Sequence, residues 1–225
     1  MSTTQINQNL IQVNRYRLVN AFLVREEDGF TLVDTTLPRG AGGLIAAARG
    51  AGAEIKRIAL THGHGDHVGS LDALKQQLGD SVQVLMPELD ARIHAGEKVV
   101  EGKLPGQWPK LATTPDVRLT GGERIGSLEV IPTPGHTPGH VSFLDTRDQT
   151  VIVGDVFTSI GGLAVSNHFN LRFPLAAIAT WDKSKDRESA QKLRALGPSM
   201  LVVGHGGPDG NPTQAMDAAI AGAGR

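Results

Sequence analysis

Residues 60–69 read LTHGHGDHVG, which puts three histidines and an aspartate within six positions of a chain that has eight histidines in all. A single histidine is usually a hydrogen-bonded core or surface residue, whereas four donor side chains packed this closely form a metal-binding pattern. Gly63 and Gly65 let the backbone bend tightly, so His62 and His64 can aim at one point while Asp66 and His67 aim at another. A turn built this way asks for two metal positions.

Working outward, IKRIAL (55–60) reads as a buried strand leading into the turn. VGSLDALKQQLG (68–79) spaces Val68, Leu71, Leu74 and Leu78 on one helical face, and Gly79 stops it. Upstream, NAFLVREEDGFTLVDT predicts two strands, Ala21 to Arg25 and Phe30 to Asp34, joined at Asp28 and Gly29, with a helix from Gly42 to Ala51 after them. Downstream, VQVLM predicts a strand and PELDARIHAG a short helix. Residues 97–115 have no period and several breakers, which is a loop of functional length. Strands return at SLEVIPT, HVSFLD and TVIVGD. PLAAIATWDKSKDRESAQKLRAL (174–196) predicts one long helix, followed by a strand MLVVG and a closing helix from Thr213 to Ala221. Strands with helices, twice over and without a repeat, predict an α/β fold of two packed sheets with helices on the outer faces.

Three more candidate donors sit at predicted strand ends: His136 after LEVIP, Asp155 at the end of TVIVGD and His205 after MLVVG. Glycine precedes each, allowing close backbone approach, and strand ends are rigid supports of the kind a metal site needs.

Composition narrows the function classes. A chain of 225 residues suits one domain spanning 1–225, and 40% apolar with 20% charged residues is a globular balance. The net charge of −1, with lysines and arginines scattered, predicts no nucleic-acid partner. Cysteine is absent, which excludes disulfides, thiolate zinc sites and a cysteine nucleophile. The start lacks a signal-peptide pattern and no apolar run reaches about 18 residues, so a cytoplasmic protein with no membrane segment is expected.

The HxHxDH motif at 62–67, the later GH at 136, GD at 155 and GH at 205, together with NAFLVREEDGFTLVDT, resemble the metallo-β-lactamase superfamily from about residue 19 to 207. The resemblance implies an αβ/βα four-layer sandwich, with His62, His64 and His136 on a first metal, Asp66, His67 and His205 on a second, and Asp155 bridging the two. Nitrogen and oxygen donors suit two Zn²⁺ and also accept iron or manganese. The missing cysteine points away from lactamase subclasses that place a thiolate on the second metal. Asp34 matches a family aspartate that lies near the site, and it equally suits a turn at a strand end. His140 resembles the second histidine of GHTPGH and is expected to make a structural hydrogen bond; His94 is expected at a helix end. His168, with Asn167 and Asn170, lies where related enzymes place substrate-contacting groups, and is a candidate to polarise a carbonyl or protonate a leaving group.

Two cations about 3.5–4 Å apart can share a water and lower its pKa from about 15.7 toward about 7. The expected chemistry is hydrolysis by that bridging hydroxide of a small ester, thioester, lactone or cyclic amide, with Asp66 orienting the hydroxide or carrying a proton. Lactonases of the family that open acyl-homoserine lactones commonly have a tyrosine three residues after the bridging aspartate; here that residue is Thr158, and the one tyrosine is Tyr16. Glyoxalase II enzymes have a glutathione-binding helical domain, and 20 residues follow His205. The expected partner is therefore a small, neutral or modestly apolar acyl substrate, with pocket walls from the 97–115 loop, including Trp108, and from 157–181, including Phe169, Phe173 and Trp181. A mononuclear-iron persulfide dioxygenase using His62, His136 and Asp155, and a non-catalytic metal-binding domain, are the alternatives. The native metal and the oligomeric state stay open.

Overall fold

Strands of the first sheet lie side by side in chain order: β1 (Ser2–Gln5), β2 (Leu10–Arg15), β3 (Val19–Glu26), β4 (Gly29–Val33), β5 (Ile55–Ala59), β6 (Gln83–Pro87) and β7 (Val117–Leu119). Up to β4 they are antiparallel, and from β4 to β7 parallel. Parallel neighbours need crossovers, and helices supply them: α1 (Ala41–Gly50) before β5, the single turn α2 (Gly65–Val68) and α3 (Leu71–Leu78) before β6, and α4 (Glu88–His94) before β7. A second sheet contains β8 (Arg124–Ile125), β9 (Leu128–Pro132), β10 (Val141–Asp145) and β11 (Thr150–Ile152). A hairpin of β12 (Phe157–Thr158) and β13 (Ala164–Val165) follows, then α5 (Leu175–Ala179) and α6 (Lys183–Ala195). Strand β14 (Met200–Val202) then joins the second sheet parallel to β11, before α7 (Thr213–Gly222). The structure, a computed structural model, describes residues 1–223.

Alternation along the strands sorts the core into three apolar layers. Ala21 and Leu23 of β3, Ile58 of β5 and Val84 and Met86 of β6 pack with Leu44, Leu71 and Leu74 of the first helices. Phe22 and Val24, Ala59 and Leu85, one residue out of phase, pack between the sheets against Leu128, Val130, Val141, Phe143 and Val202. Ile131, Leu144, Leu201 and Val203 face the other way, onto Ala190, Leu193 and Met216 of α6 and α7. Helices, sheet, sheet and helices are the expected four layers. Burial on both sheet faces also explains why strands such as β6 read as continuous apolar runs.

One expectation is corrected. The single helix over 174–196 is two helices, broken at residues 180–182. Asp182 caps α6 by accepting from Ser184 N at 3.0 Å and Lys185 N at 3.1 Å, while Trp181 N and Asp182 N donate to His136 O and Gly135 O. Those two amides serve the donor loop instead of extending α5, and the aspartate makes the restart favourable. In β2 polar Gln12 interrupts the apolar run; it is buried, with its amide donating to Asn20 Oδ1 at 2.7 Å. Among the described residues, no helix is long and apolar enough to cross a membrane.

Candidate metal centre

Four chain segments end at one place: the turn after β5 with His62, His64, Asp66 and His67, the β9–β10 loop with His136, the end of β11 with Asp155, and the end of β14 with His205. His64 Nδ1 lies 3.1 Å from His136 Nε2. His67 Nε2 lies 3.4 Å from His205 Nε2 and 3.3 Å from Asp155 Oδ1. The other Asp155 oxygen is 3.5 Å from His136 Nε2 and 3.2 Å from His205 Nε2, and Asp66 Oδ2 is 3.2 Å from His205 Nε2. Three overlapping groups have donor atoms within 4.8 Å of one another: His62, His64 and His136; His62, His67 and Asp155; and Asp66, His67 and His205.

Each ring is turned by a partner behind it, which also assigns its tautomer. Asp34, held at φ +62°, accepts from His67 Nδ1 at 2.8 Å and from both the amide and the hydroxyl of Thr61 at 2.8 Å. Since the Thr61 hydroxyl donates to Asp34, it accepts from His62 Nδ1 at 3.0 Å, so one carboxylate orients two imidazoles. Thr180 donates its hydroxyl to Ala176 O at 2.8 Å and accepts from His136 Nδ1 at 3.0 Å. His205 Nδ1 donates to Leu18 O at 2.7 Å, and His64 Nε2 to Pro105 O at 3.3 Å. Nε2 of His62, His67, His136 and His205, and Nδ1 of His64, are thereby left facing inward. His140 makes the structural bonds expected of it: its Nε2 accepts from Asp155 N at 3.1 Å and its Nδ1 donates to Thr133 Oγ1 at 2.9 Å.

Helix α4 clamps the donor turn. Buried Asp90 accepts from Gly63 N at 2.8 Å, Thr137 Oγ1 at 2.7 Å and Gly139 N at 2.7 Å, which ties the His62–His64 segment to the His136 loop. One helical turn on, His94 places Nε2 2.9 Å from Gly63 O and Nδ1 2.9 Å from Pro109 O, linking the same residue to the 97–115 loop. A side chain at Gly63 would run into Trp108 and His94, which is why glycine stands there. Thr61, Asp90 and Thr180 have no spacing signature; Asp90's partners lie 27 to 49 residues away in sequence.

The electrostatics divide the cluster. Burial, with neighbouring His67 adding to it, holds His62 well below the usual imidazole range; burial does the same to His136 and lowers His64 to about 4. These rings are neutral, the form that donates a lone pair. Burial acts most strongly, against charge on His67 and His205, but the carboxylates together outweigh it, Asp155 with Asp34 and Asp66 at His67 and Asp155 with Asp66 at His205; His67 is raised and His205 is pushed up to about 10. Burial would raise the Asp155 and Asp66 carboxyls, and the same two histidines hold both below the ordinary carboxylate range. Burial pushes Asp90 up to about 6 against its three donors.

A cavity of about 710 Å³ opens over the donors, lined by His64, Asp66, His136, Asp155 and His205 at its floor, with Trp108 and Phe173 among its walls. The 97–115 loop does form a wall. His168 is not brought here: with Phe169, Asn170 and Arg172 it lines a second cavity that shares no lining residue with the first. The asparagines beside it are occupied locally, Asn170 Nδ2 donating to Ile160 O at 3.0 Å and Asn167 Nδ2 to Lys183 O at 2.7 Å. Trp181 is absent from the cavity wall. Thr158 donates to His205 O at 3.1 Å.

The family model described as the metallo-beta-lactamase superfamily matches residues 15–205. YobT of Bacillus subtilis (strain 168) is 46% identical over 208 residues, covering 90% of this chain and 89% of YobT. A hydroxyacylglutathione hydrolase of Rhodopseudomonas palustris (strain ATCC BAA-98 / CGA009) is 33% identical over 72% of this chain, a match that spans 52% of that protein. Among solved structures, TTHA1623 in a di-iron-bound form aligns over 90% of this chain and 94% of that one, at 25% identity and a TM-score of 0.65.

Proposed function

This chain belongs to the metallo-beta-lactamase superfamily, and from that premise we propose that it is a dinuclear metal hydrolase of small esters, thioesters, lactones or cyclic amides. The observation that carries the proposal is Asp155, with one oxygen toward His67 and the other between His136 and His205, so that a single carboxylate faces both donor groups. The residues fit divalent cations. His62 Nε2 and Asp155 Oδ1 are buried without a hydrogen-bond partner, and two carboxylates, Asp66 and Asp155, meet at His205 Nε2 with Asp34 behind His67. His62, His64 and His136 would hold one cation and Asp66, His67 and His205 the other.

Bound there, the cations supply an acidified water and a Lewis acid for the substrate carbonyl. The chain's own part is positional and protonic. Asp66 lines the cavity and its side chain keeps 36% exposure, so it is placed to take the proton of the attacking water and return it to the departing atom. In balance, O–H adds to the acyl carbon, the bond to oxygen, sulfur or nitrogen breaks, and the leaving group departs with the proton. His168 has no role in this scheme. A one-iron dioxygenase would leave Asp66, His67 and His205 idle, although their donor group is as complete as the first. Iron in place of zinc is compatible with the donors, and TTHA1623 is described as di-iron-bound.

Elemental analysis of protein purified without added metal tests the proposal. Two equivalents of zinc or iron are expected, falling toward one in His67→Ala with loss of ester, thioester and lactone turnover. One equivalent of iron, unchanged in the variant and accompanied by persulfide-dependent oxygen uptake, overturns it.

A further inference from the structure

Above the donor floor the cavity is lined mainly by apolar side chains, with Asp72, Gln107 and Lys110 interspersed. Trp108 packs edge-on against His64 with ring centroids 5.1 Å apart, and Phe173 lies 4.8 Å from the ring of His205. A group held over the donors therefore has one aromatic wall beside each donor set. Beyond these rings the walls continue as Leu111 and Pro109 on the loop side and Leu175 and Ile178 on the α5 side. Among the described residues that line the cavity, Lys110 is the one lysine or arginine.

Leu175 and Ile178 are 60% and 64% exposed although they sit at the cavity mouth. Large aliphatic side chains left in water beside a cleft cost free energy that a bound apolar group recovers. Their continuity with the donor floor favours an occupant that reaches the donors over one that merely covers the surface. A substrate with several charges along its length, such as a glutathione thioester, meets a single lysine above the donor floor and would bury carboxylates against hydrocarbon.

We infer that this cavity seats an aliphatic chain, the acyl part of a substrate with no second charged group, running from the donors between Trp108 and Phe173 toward Leu175 and Ile178. The inference rests on the hydrolase proposal in making the chain part of the compound that is cleaved, and binding can be measured apart from cleavage.

The experiment takes metal-loaded protein and measures kcat/KM for p-nitrophenyl esters of increasing acyl length, together with calorimetric titration of butyrate and decanoate as non-reacting probes. A fully buried methylene corresponds to about a fourfold gain, so kcat/KM should climb steeply with length and decanoate should bind far more tightly than butyrate. Leu175→Asp with Ile178→Asp changes only exposed positions, and should flatten both dependences while circular dichroism stays unchanged. Hydrolysis that is indifferent to length, with equal binding of the two acids, overturns the inference and leaves the hydrolase proposal standing. Tight decanoate binding with no hydrolysis of any ester supports the chain site and counts against the hydrolase. A length dependence unchanged in the double variant, with sedimentation showing that the variant breaks a dimer, makes Leu175 and Ile178 a subunit interface and also overturns the inference.

Discussion

Removing the Asp90 carboxylate should loosen the metal centre without touching a donor. Its oxygens accept from two peptide amides, Gly63 N at 2.8 Å and Gly139 N at 2.7 Å, and from the Thr137 hydroxyl at 2.7 Å, all in a buried setting. In Asp90→Ala the hydroxyl can rotate to another acceptor, but the two amides cannot. Each buried orphan costs about 1–3 kcal/mol, or roughly 2–6 kcal/mol for the pair, a large share of a total stability of about 5–15 kcal/mol. Asp90→Asn keeps one acceptor oxygen and turns the other into a donor, so it should fold and lose about half as much. Because Gly63 lies between His62 and His64, and Thr137 follows His136, the Asn variant should also bind zinc about 10- to 100-fold more weakly, the range seen when groups supporting metal ligands are removed. Urea unfolding of chelator-stripped protein gives the stability, and chelator competition gives the zinc affinity. Asp90→Ala within about 1 kcal/mol of wild type, or either variant with undiminished zinc affinity, would refute the clamp.

Thr180→Val deletes the hydroxyl that accepts from His136 Nδ1 while nearly preserving its shape; zinc affinity by chelator competition should fall about 10-fold or more, with unchanged circular dichroism. Full affinity in that variant would mean that packing alone orients His136. Burial lowers His140 from 6.5 to about 3, so it is neutral in the fold at neutral pH and gains a proton on unfolding in acid. Stability should therefore fall as pH drops through that window, with this one group contributing about 1.4 kcal/mol per pH unit. Urea midpoints of His140→Gln across the same range should show a slope shallower by about one proton, and equal slopes would show that His140 is not held neutral.

Most donors were legible from residue type and local spacing. Gly63 and Gly65 between donors, and a glycine before each of His136, Asp155 and His205, mark backbone that must approach closely, while the apolar runs ahead of them mark the strands that deliver them. The order of strands and helices, twice over, likewise anticipated two packed sheets, and in the fold Phe22 and Leu23 bury opposite faces. What stayed hidden depends on partners remote in sequence. Thr61 passes the hold of Asp34 on to His62, Thr180 breaks a helical pattern to reach His136, and Asp90 joins two loops through hydrogen bonds 27 to 49 residues apart in sequence. His168 shows the reverse: its place in the chain suggested a substrate contact, and the fold turned it into another cavity. A donor can be recognised from its own chemistry and its neighbours in the chain; its supports, the cavity's apolar walls and its distance from every other donor are set only when the two sheets pack.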